Sequence, residues 1–306
     1  MGYIWYDLKM KRIIILDLAG GLGNHIFLFE IANFIGSIGD SVILINKTEI
    51  DRKHASGKST IEDFVLPDKV TYFELSRMMN RLYFGLKIFL RKFNSYKQSL
   101  TLVLDENYNT NDRNEIYDLV SKRKPKLIII SGYWQSFAYW NDNFNYKLKS
   151  EGHKLRELLS EIESINPVIF HYRLGKFNGS WEHSWGALSP KFLIDALATL
   201  KPDSTNSKAV WVFSNDLIEA KKLIEATEIS PYKIFYIDDL ALLPSELLLL
   251  FSKAKNLVCS NSTFSIVAAK IGRVKNVMVP SVLAKNGNSS LELPIEWNKV
   301  PSVWLE

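Results

Sequence analysis

The stretch 168–175, with the sequence VIFHYRLG, is the most informative part of the chain about its fold. Its first residues are β-branched and aromatic, which is typical of a buried strand, and polar residues follow at His171 and Arg173. Because side chains alternate along a strand, His171 and Arg173 are predicted to point to the same side. The stretch is therefore predicted to be a buried strand with a polar carboxyl end.

Strand-like and helix-like segments alternate on both sides of this stretch. Short apolar runs occur at 13–16, 42–45, 127–130, 168–171, 209–213, 234–237, 257–259 and 277–279, and amphipathic stretches include 190–200, 216–226 and 244–255. This alternation favours parallel sheets covered by helices. We predict an α/β protein with two Rossmann-like domains, 1–160 and 161–306, facing a central cleft. Ligands would bind at the carboxyl ends of the strands.

Composition limits the class of protein and its partners. The 306 residues are 47% hydrophobic and 23% charged, and the net charge of +5 fits an anionic ligand or surface. Cys259 is the only cysteine, so no internal disulfide can form and a cytoplasmic location is expected. The first residues lack the apolar core of a signal peptide. The basic residues form no patterned stripe with aromatic repeats, so nucleic acid is not an expected partner.

A glycine-rich turn follows the first predicted strand, with the sequence AGGLGNH at 19–25. Gly21, Gly23 and Asn24 lie where a helix begins, and free N–H groups at a helix N-terminus can bind an anion. A plain connection between strand and helix explains the turn equally well. Asp17 is either an acid that stabilises the turn or a base that faces the cleft, and His25 is expected to be structural.

Two alternatives are open for the end of the strand at 168–175. Arg173 can hold a phosphate through two parallel hydrogen bonds, or it can form an interdomain salt bridge, with His171 packed in the interior. The loop that follows is rich in polar and aromatic residues, and it ends at Ser189 and Pro190, which suit the start of a helix.

A turn rich in hydroxyl groups, SNSTFS at 260–265, ends another predicted strand and starts a helix. Asn261, Ser262, Thr263 and Phe264 there are typical of a phosphate-binding helix N-terminus, although Ser, Thr and Asn also favour plain helix caps. A third strand end of this kind contains Ser214 and Asp216, which would lie at the cleft or cap a helix.

Six short motifs occur in a characteristic order: GGLGN at 20–24, GYWQS at 132–136, HYRLG at 171–175, LSP at 188–190, FSND at 213–216 and SNSTFS at 260–265. In this order they resemble the α-1,2-fucosyltransferases of glycosyltransferase family eleven and, more remotely, the protein O-fucosyltransferases. The resemblance implies a GT-B fold and an inverting transfer of L-fucose from GDP-fucose to a galactoside-type saccharide acceptor. It implies no metal and no cofactor, and the chain contains no Asp-x-Asp motif.

The resemblance also implies roles for particular residues. Arg173 and His171 would be catalytic, with Arg173 neutralising the departing β-phosphate, which is a form of electrostatic catalysis. The general base is open among Asp17, Glu182 and His183. The implied donor-binding residues are Gly21, Gly23, Asn24, Ser214, Asp216, Asn261, Ser262, Thr263 and Phe264.

Two positions depart from the family pattern. Lys176 stands where the family has an aspartate, and His25 stands where it has a glutamine. An ammonium in place of a carboxylate inverts the local charge beside the expected donor site. Another nucleotide sugar, or a non-catalytic role in binding a nucleotide or glycan, therefore remains an alternative.

The segment 76–97 combines basic residues with Met, Leu, Tyr and Phe. This composition fits a helix on an anionic membrane surface, although a domain helix with a solvated basic face is the slightly favoured interpretation. A membrane contact would suit a lipid-linked saccharide acceptor in bacterial surface-polysaccharide (O-antigen) synthesis. The protein would then be peripheral on the inner face of the cytoplasmic membrane.

Overall fold

The structure is a computed structural model that describes residues 11–48, 61–92, 100–105, 110–174, 185–200, 208–239, 241–287, 289 and 291–305. The chain divides into two compact units, Met1–Phe144 and Asn145–Glu306. Each unit is built on one parallel β-sheet with helices connecting its strands. The predicted α/β class with two Rossmann-like units is thereby confirmed.

The first unit contains a five-stranded parallel sheet in the order β3-β2-β1-β5-β4. Its strands are β1 (Arg12–Asp17), β2 (Ser41–Asn46), β3 (Val70–Phe73), β4 (Thr101–Leu104) and β5 (Leu127–Ile130). Its α-helices are α1 (Leu22–Ser37), α2 (Arg77–Arg91) and α3 (Arg113–Arg123), and short 3-10 helices occur at Ile61–Asp63 and Phe137–Tyr139. The sequence pattern had predicted β1, β2 and β5, which are the three central strands.

Helix α1 is the core helix of the first unit. It is apolar on nearly all sides and buries 13 of its 16 residues, as expected of a helix that is enclosed by its domain. Phe27 packs against Phe137 with ring centroids 5.2 Å apart, and Phe34 packs against Tyr139 at 5.6 Å. These aromatic contacts fix the segment that follows β5 onto α1.

Helix α2 contrasts with α1, because none of its residues is buried. Its first turn is capped by Ser76, whose hydroxyl accepts a hydrogen bond from the backbone N–H of Met79 at 3.4 Å. Among the helices of the described residues, none has both the length and the apolarity that crossing a membrane requires.

The second unit contains a six-stranded parallel sheet in the order β11-β10-β9-β6-β7-β8. Its strands are β6 (Val168–Tyr172), β7 (Ala209–Ser214), β8 (Lys233–Tyr236), β9 (Asn256–Cys259), β10 (Asn276–Pro280) and β11 (Asn298–Val300). Its α-helices are α4 (His153–Ile165), α5 (Pro190–Thr199), α6 (Leu217–Glu225), α7 (Pro244–Ser252) and α8 (Thr263–Gly272). Counted from β6, the strand order is the one that defines the dinucleotide-binding Rossmann sheet.

Strand β6 lies at the centre of this sheet and is buried along its whole length. Alternation places Val168, Phe170 and Tyr172 in one hydrophobic core, together with residues of α5 and α6. His171 lies on the other face, where its ring contacts Phe251 of α7 and Phe264 of α8. The two faces of β6 therefore serve different purposes, one for packing and one for positioning polar groups.

The division between the units differs from the predicted boundary at 160/161, which cut through α4. The structure divides the chain after Phe144 and assigns all of α4 to the second unit. The physical reason is the buried side chain of Glu246, which accepts hydrogen bonds from the backbone N–H of Gly152 at 2.6 Å and of Leu243 at 2.9 Å. One carboxylate thus joins the start of α4 to the start of α7.

Helices α7 and α8 are in close contact at Gly272. A Cβ atom at this position would lie 1.8 Å from the backbone oxygen of Ser252. A backbone atom cannot move aside as a flexible side chain can, so the contact requires the absence of a side chain. The packing of α7 on α8, which supports the site described below, depends on this glycine.

We predict that Gly272→Ala lowers the free energy of unfolding by at least about 1–3 kcal/mol, because the added methyl group overpacks this contact. Gly85→Ala is the matched control: a Cβ at position 85 has no atom within 4 Å, and alanine favours the helix by up to about 1 kcal/mol. Urea unfolding followed by circular dichroism measures both. Equal stability of the two variants would contradict the prediction.

Candidate functional site

The strand order of the second unit reverses direction between β6 and β9. The chain proceeds from β6 to β7 and β8 on one side of the sheet, and then returns to β9, β10 and β11 on the other side. In open α/β sheets, ligands bind at such a switch point, outside the carboxyl ends of the strands. His171 pairs with Cys259 in the sheet register, and Arg173 and Asn261 each follow two residues later. The switch point is therefore bordered by Arg173 and by the turn at 260–265.

His171 connects β6 to the first turn of α8. Its Nδ1 atom lies 3.0 Å from the hydroxyl of Ser265 and 3.5 Å from the hydroxyl of Ser260. Burial, and secondly the positive charge of Arg173, lower the pKa of His171 to about 3. The ring is therefore neutral at physiological pH and acts as a hydrogen-bonding group rather than as a cation.

Arg173 is exposed at the carboxyl edge of the sheet, one residue beyond β6. The surrounding protein nevertheless lowers the pKa of Arg173, because it removes part of the water that would solvate the guanidinium. Arginine remains charged in proteins even so. The result is a fixed positive charge that has lost some of its hydration, which favours binding of an anion with two oxygens to the same guanidinium.

The chain that leaves β6 is held in place by Asn215. The amide oxygen of Asn215 accepts a hydrogen bond from the backbone N–H of Leu174 at 2.9 Å, and its amide nitrogen donates to the backbone oxygen of Leu174. Asn215 follows β7, so it fastens the end of β6 to the end of the neighbouring strand. This contact limits the freedom of the backbone on which Arg173 lies.

Ser214 and Asp216, which were predicted to be at the cleft or in a helix cap, form the cap of α6. The carboxylate of Asp216 accepts a hydrogen bond from the N–H of Glu219 at 3.1 Å. The hydroxyl of Ser214 accepts one from the N–H of Asp216, also at 3.1 Å. These contacts account for both side chains as parts of a helix start.

The turn at 260–265 begins α8 and carries no negative charge. Ser262 is the N-cap residue, and its hydroxyl accepts a weak hydrogen bond from the N–H of Phe264 at 3.4 Å. The first turn of α8 contains no acidic residue. The first N–H groups of a helix have no partner within the helix, so the partial positive charge at Thr263 is available to an anion. Phe264 packs with His171 and Phe251, with ring centroids 5.6 and 5.8 Å away, and this contact supports the turn.

Asn261 holds a second segment to the same edge. Its side-chain amide donates to the backbone oxygens of Trp185 at 3.1 Å and of Gly186 at 3.0 Å. Asn261 is itself buried. It therefore acts as an anchor for the chain that leads into α5, rather than as an exposed ligand.

The first unit has a corresponding switch point between β1 and β5. Gly21 is the N-cap residue of α1, no side chain caps this helix, and its first turn contains no acidic residue. Asn24 accepts a hydrogen bond from the side chain of Gln135 at 2.9 Å, which joins the turn after β1 to the segment after β5. Gly23 is buried in the first turn of α1.

Three residues near this second switch point have positive φ angles: Gly20 at 73°, Gly132 at 95° and Trp134 at 43°. A non-glycine residue in this conformation is uncommon and costs of order 1 kcal/mol or more. Trp134 is stabilised by burial and by the hydrogen bond that its indole donates to the backbone oxygen of Ser131 at 2.8 Å. The tight backbone is therefore maintained by packing of the segment after β5.

Asp17 is engaged in a buried polar cluster. Its carboxylate accepts hydrogen bonds from Asn46 at 2.9 Å, Tyr83 at 3.0 Å and Lys87 at 2.9 Å. Burial and the neighbouring negative charge raise the pKa of Tyr83. Of the two predicted roles for Asp17, these three donors favour the structural one over that of a general base.

Several predicted residues lie outside the described residues: Gly175, Lys176, Glu182 and His183. In the part of the chain that the structure does describe, no group of three or more His, Cys, Asp or Glu side chains could hold a metal ion. Asn215 was predicted to lie at the cleft or in a helix cap together with Ser214 and Asp216, and Ser265 belongs to the predicted SNSTFS turn. The contacts of Asn215 with Leu174 and of Ser265 with His171 were not predicted.

We predict that His171 makes stability depend on pH below about 6.5. The unfolded chain binds a proton at this residue near its usual pKa, whereas the folded protein binds it only near pH 3, so stability is lost as the pH falls. The expected contribution is about 1.4 kcal/mol per pH unit between these values. Urea unfolding at pH 7 and pH 5 should show a smaller loss in His171→Asn. An equal loss in both proteins would contradict the prediction.

We predict that substitution by alanine destabilises the protein strongly at Gly20 and only weakly at the neighbouring Gly21. Gly20→Ala should cost about 2 kcal/mol, because φ is positive and the new Cβ would lie 2.3 Å from the side-chain nitrogen of Asn24. Gly21→Ala should cost less than about 1 kcal/mol, since φ is −89° and no atom lies within 4 Å of the added Cβ. Thermal unfolding of the two variants checks the order, and a reversed order would contradict it.

Comparison with known proteins identifies similar folds but no matching family. No family model matches the chain, and no curated protein matches its sequence. A point mutant of FUT1 from Arabidopsis thaliana, solved in complex with GDP, superposes with a TM-score of 0.49 at 16% identity and covers 91% of this chain and 74% of that one. The fucosyltransferase NodZ from Bradyrhizobium gives 0.48 at 13% identity, covering 85% and 93%. The ADP-heptose LPS heptosyltransferase II of E. coli gives 0.45 at 9% identity, covering 95% and 90%.

Proposed function

We propose that the protein is an inverting, metal-independent glycosyltransferase that binds the diphosphate of a nucleotide sugar at the switch point of the second unit. One observation carries the proposal: Arg173 borders the switch point together with the acid-free N-terminus of α8. A guanidinium and a helix N-terminus are both donors that favour phosphate oxygens.

The proposed chemistry follows from the charge of the leaving group. When the bond between the sugar and the diphosphate breaks, negative charge develops on the β-phosphate. Arg173 and the N–H group at Thr263 would stabilise this charge without needing to rearrange. Removing one such donor costs about 10²–10³ in turnover in enzymes that rely on preorganised donors.

His171 and Asn215 would act as positioning residues in this mechanism. His171 contacts Ser265, which keeps the first turn of α8 beside the end of β6. Asn215 contacts Leu174, the residue directly after Arg173. A direct catalytic role for His171 receives no support from its surroundings, since it is buried among Phe251, Phe264 and two serine hydroxyls.

The N-terminus of α1, in the first unit, is a candidate anion-binding position in its own right. Gly21, Gly23 and Asn24 lie there, and their predicted role in donor binding stays a prediction. The absence of a side-chain cap and of acidic residues in the first turn leaves this helix N-terminus open to an anion. Gln135 supports Asn24 from the side.

The identities of the sugar and of the acceptor are proposed from the ordered motifs of the sequence. By resemblance to the α-1,2-fucosyltransferases, the donor would be GDP-fucose and the product an α-1,2-linked fucosyl galactoside. A lipid-linked saccharide of bacterial surface polysaccharide would serve as the acceptor. The second unit would bind the nucleotide sugar, and the first unit would bind the acceptor.

We predict that GDP raises the thermal unfolding temperature of the protein and that UDP and CMP do not, since a ligand stabilises the state that binds it. Arg173→Ala should abolish most of this shift and lower fucosyl transfer at least about a hundredfold. Arg173→Lys should recover little of the GDP-induced shift or of the transfer rate, because an ammonium cannot form the paired hydrogen bonds of a guanidinium.

Arg156→Ala is the matched control, because Arg156 is an exposed arginine on α4 of the same unit. It should leave both the GDP shift and the transfer rate unchanged. Stabilisation by UDP or CMP instead of GDP would overturn the fucosyl assignment. GDP binding without transfer to any galactoside would favour a non-catalytic binder.

A further inference from the structure

The apolar face of α2 points away from the unit to which the helix belongs. Met78, Leu82, Leu86 and Phe89 recur at the spacing of one helix face. They are 69%, 61%, 50% and 55% exposed. A helix of a water-soluble domain normally turns this face toward the core. The apolar stripe of α2 is therefore exposed along the length of the helix.

The orientation of α2 is fixed by polar contacts on its opposite face. Tyr83 and Lys87, one turn apart, both bind the buried carboxylate of Asp17, at 3.0 and 2.9 Å. Lys87 is only 19% exposed, so its ion pair with Asp17 is partly shielded from water. Rotating α2 to bury its apolar stripe would break both contacts and leave the Asp17 carboxylate without these partners. The outward direction of the stripe is thus built into the fold.

A row of positive charge runs beside the stripe. Arg77, Arg81 and Lys92 fall on one line along the helix, and all three are exposed. The sequence of α2 and its C-cap, from 77 to 92, contains no acidic residue. The combination of a large amphipathic character, a basic flank and exposed Phe and Leu is typical of helices that lie in the interface of an anionic bilayer.

We propose that α2 is a membrane-surface helix, with Met78, Leu82, Leu86 and Phe89 inserted at the boundary between headgroups and acyl chains. Arg77, Arg81 and Lys92 would contact the phosphates of anionic lipids. At 15 residues the helix is about 22 Å long, shorter than the ~30 Å hydrocarbon core, so it lies in the plane of the surface. Binding of lipid by α2 would need neither donor nor acceptor.

The charge pattern favours a lipid surface over a second copy of the chain as the occupant. A two-fold contact of α2 with itself would bring together two identical surfaces. Both would be basic and free of acidic residues along α2, so like charges would face each other. An anionic bilayer instead supplies both a hydrocarbon phase and the opposite charge, and each basic residue near such a surface strengthens binding.

Flotation of the full chain with vesicles tests the proposal. Wild type should float with vesicles of phosphatidylcholine and phosphatidylglycerol at about 7:3, and not with pure phosphatidylcholine. Binding should weaken as salt screens the charges. Leu82→Gln/Phe89→Gln and Arg77→Glu/Arg81→Glu should each lower the bound fraction at least about tenfold.

Two control variants distinguish vesicle binding by this surface from nonspecific binding of the protein to vesicles. Ile218→Gln removes an apolar side chain that is 85% exposed on α6, and Arg156→Glu reverses a charge on α4. Both should bind vesicles like wild type. Circular dichroism melting must show that every variant is folded, and since the α2 variants change only exposed side chains, their melting temperatures should match wild type.

Three results would overturn the proposal: no flotation of wild type, flotation of the α2 variants equal to wild type, or a wild-type dimer in light scattering that Leu82→Gln/Phe89→Gln dissociates while no vesicle binding occurs. The last would assign the stripe to a second copy. The flotation test uses no nucleotide sugar. Membrane binding can therefore be disproved while the Arg173 experiment supports the proposed transferase site, and the transferase site can be disproved while the protein still binds vesicles.

Discussion

The contact between the His171 ring and the Ser265 hydroxyl is the one on which the carboxyl edge of the second unit depends. It crosses the switch point, where β6 and β9 are neighbours but no helix connects them directly. Because the ring is enclosed by Phe251 and Phe264, it is held neutral and in one orientation. A charged ring here would lose hydration and face Arg173 at the same time. The charge at this edge of the described residues therefore comes from Arg173 and not from His171, and the proposed phosphate chemistry needs that arrangement.

In the first unit, a carboxylate connects the end of a central strand to other elements in a comparable way. Asp17 ends β1, and it joins a neighbouring strand through Asn46 and a distant helix through Tyr83 and Lys87. The position of Asp17 at a strand end is visible in the sequence, but its role is not, since Tyr83 and Lys87 are 66 and 70 residues away along the chain. The same limit applied to His171, whose partner Ser265 is 94 residues away. Residue types at a site are visible in a sequence, whereas the partners that decide their protonation and orientation are tertiary.

The strands show where local pattern is sufficient. Strands β6, β7 and β9 are buried on both faces, so each is a continuous run of apolar residues, and their predicted limits agree with the structure within one residue. Strands β3, β4 and β11 were not predicted. Each lies at an edge of its sheet and has only three or four residues, so its extended form depends on pairing with a neighbour rather than on its own pattern. The two parallel sheets could be predicted from the buried strands alone, and the edge strands that were not predicted did not change the predicted fold class.

Two asparagines fix the points at which the chain leaves the second sheet and returns to it. Asn215 binds both backbone groups of Leu174, and Asn261 binds the backbone oxygens of Trp185 and Gly186. All of these bonds are to main-chain atoms, so none depends on which side chains the intervening residues 175–184 carry. The two ends of this interval are thereby tied to the framework through the main chain, and the bonds themselves do not depend on which side chains stand at 174 and 185.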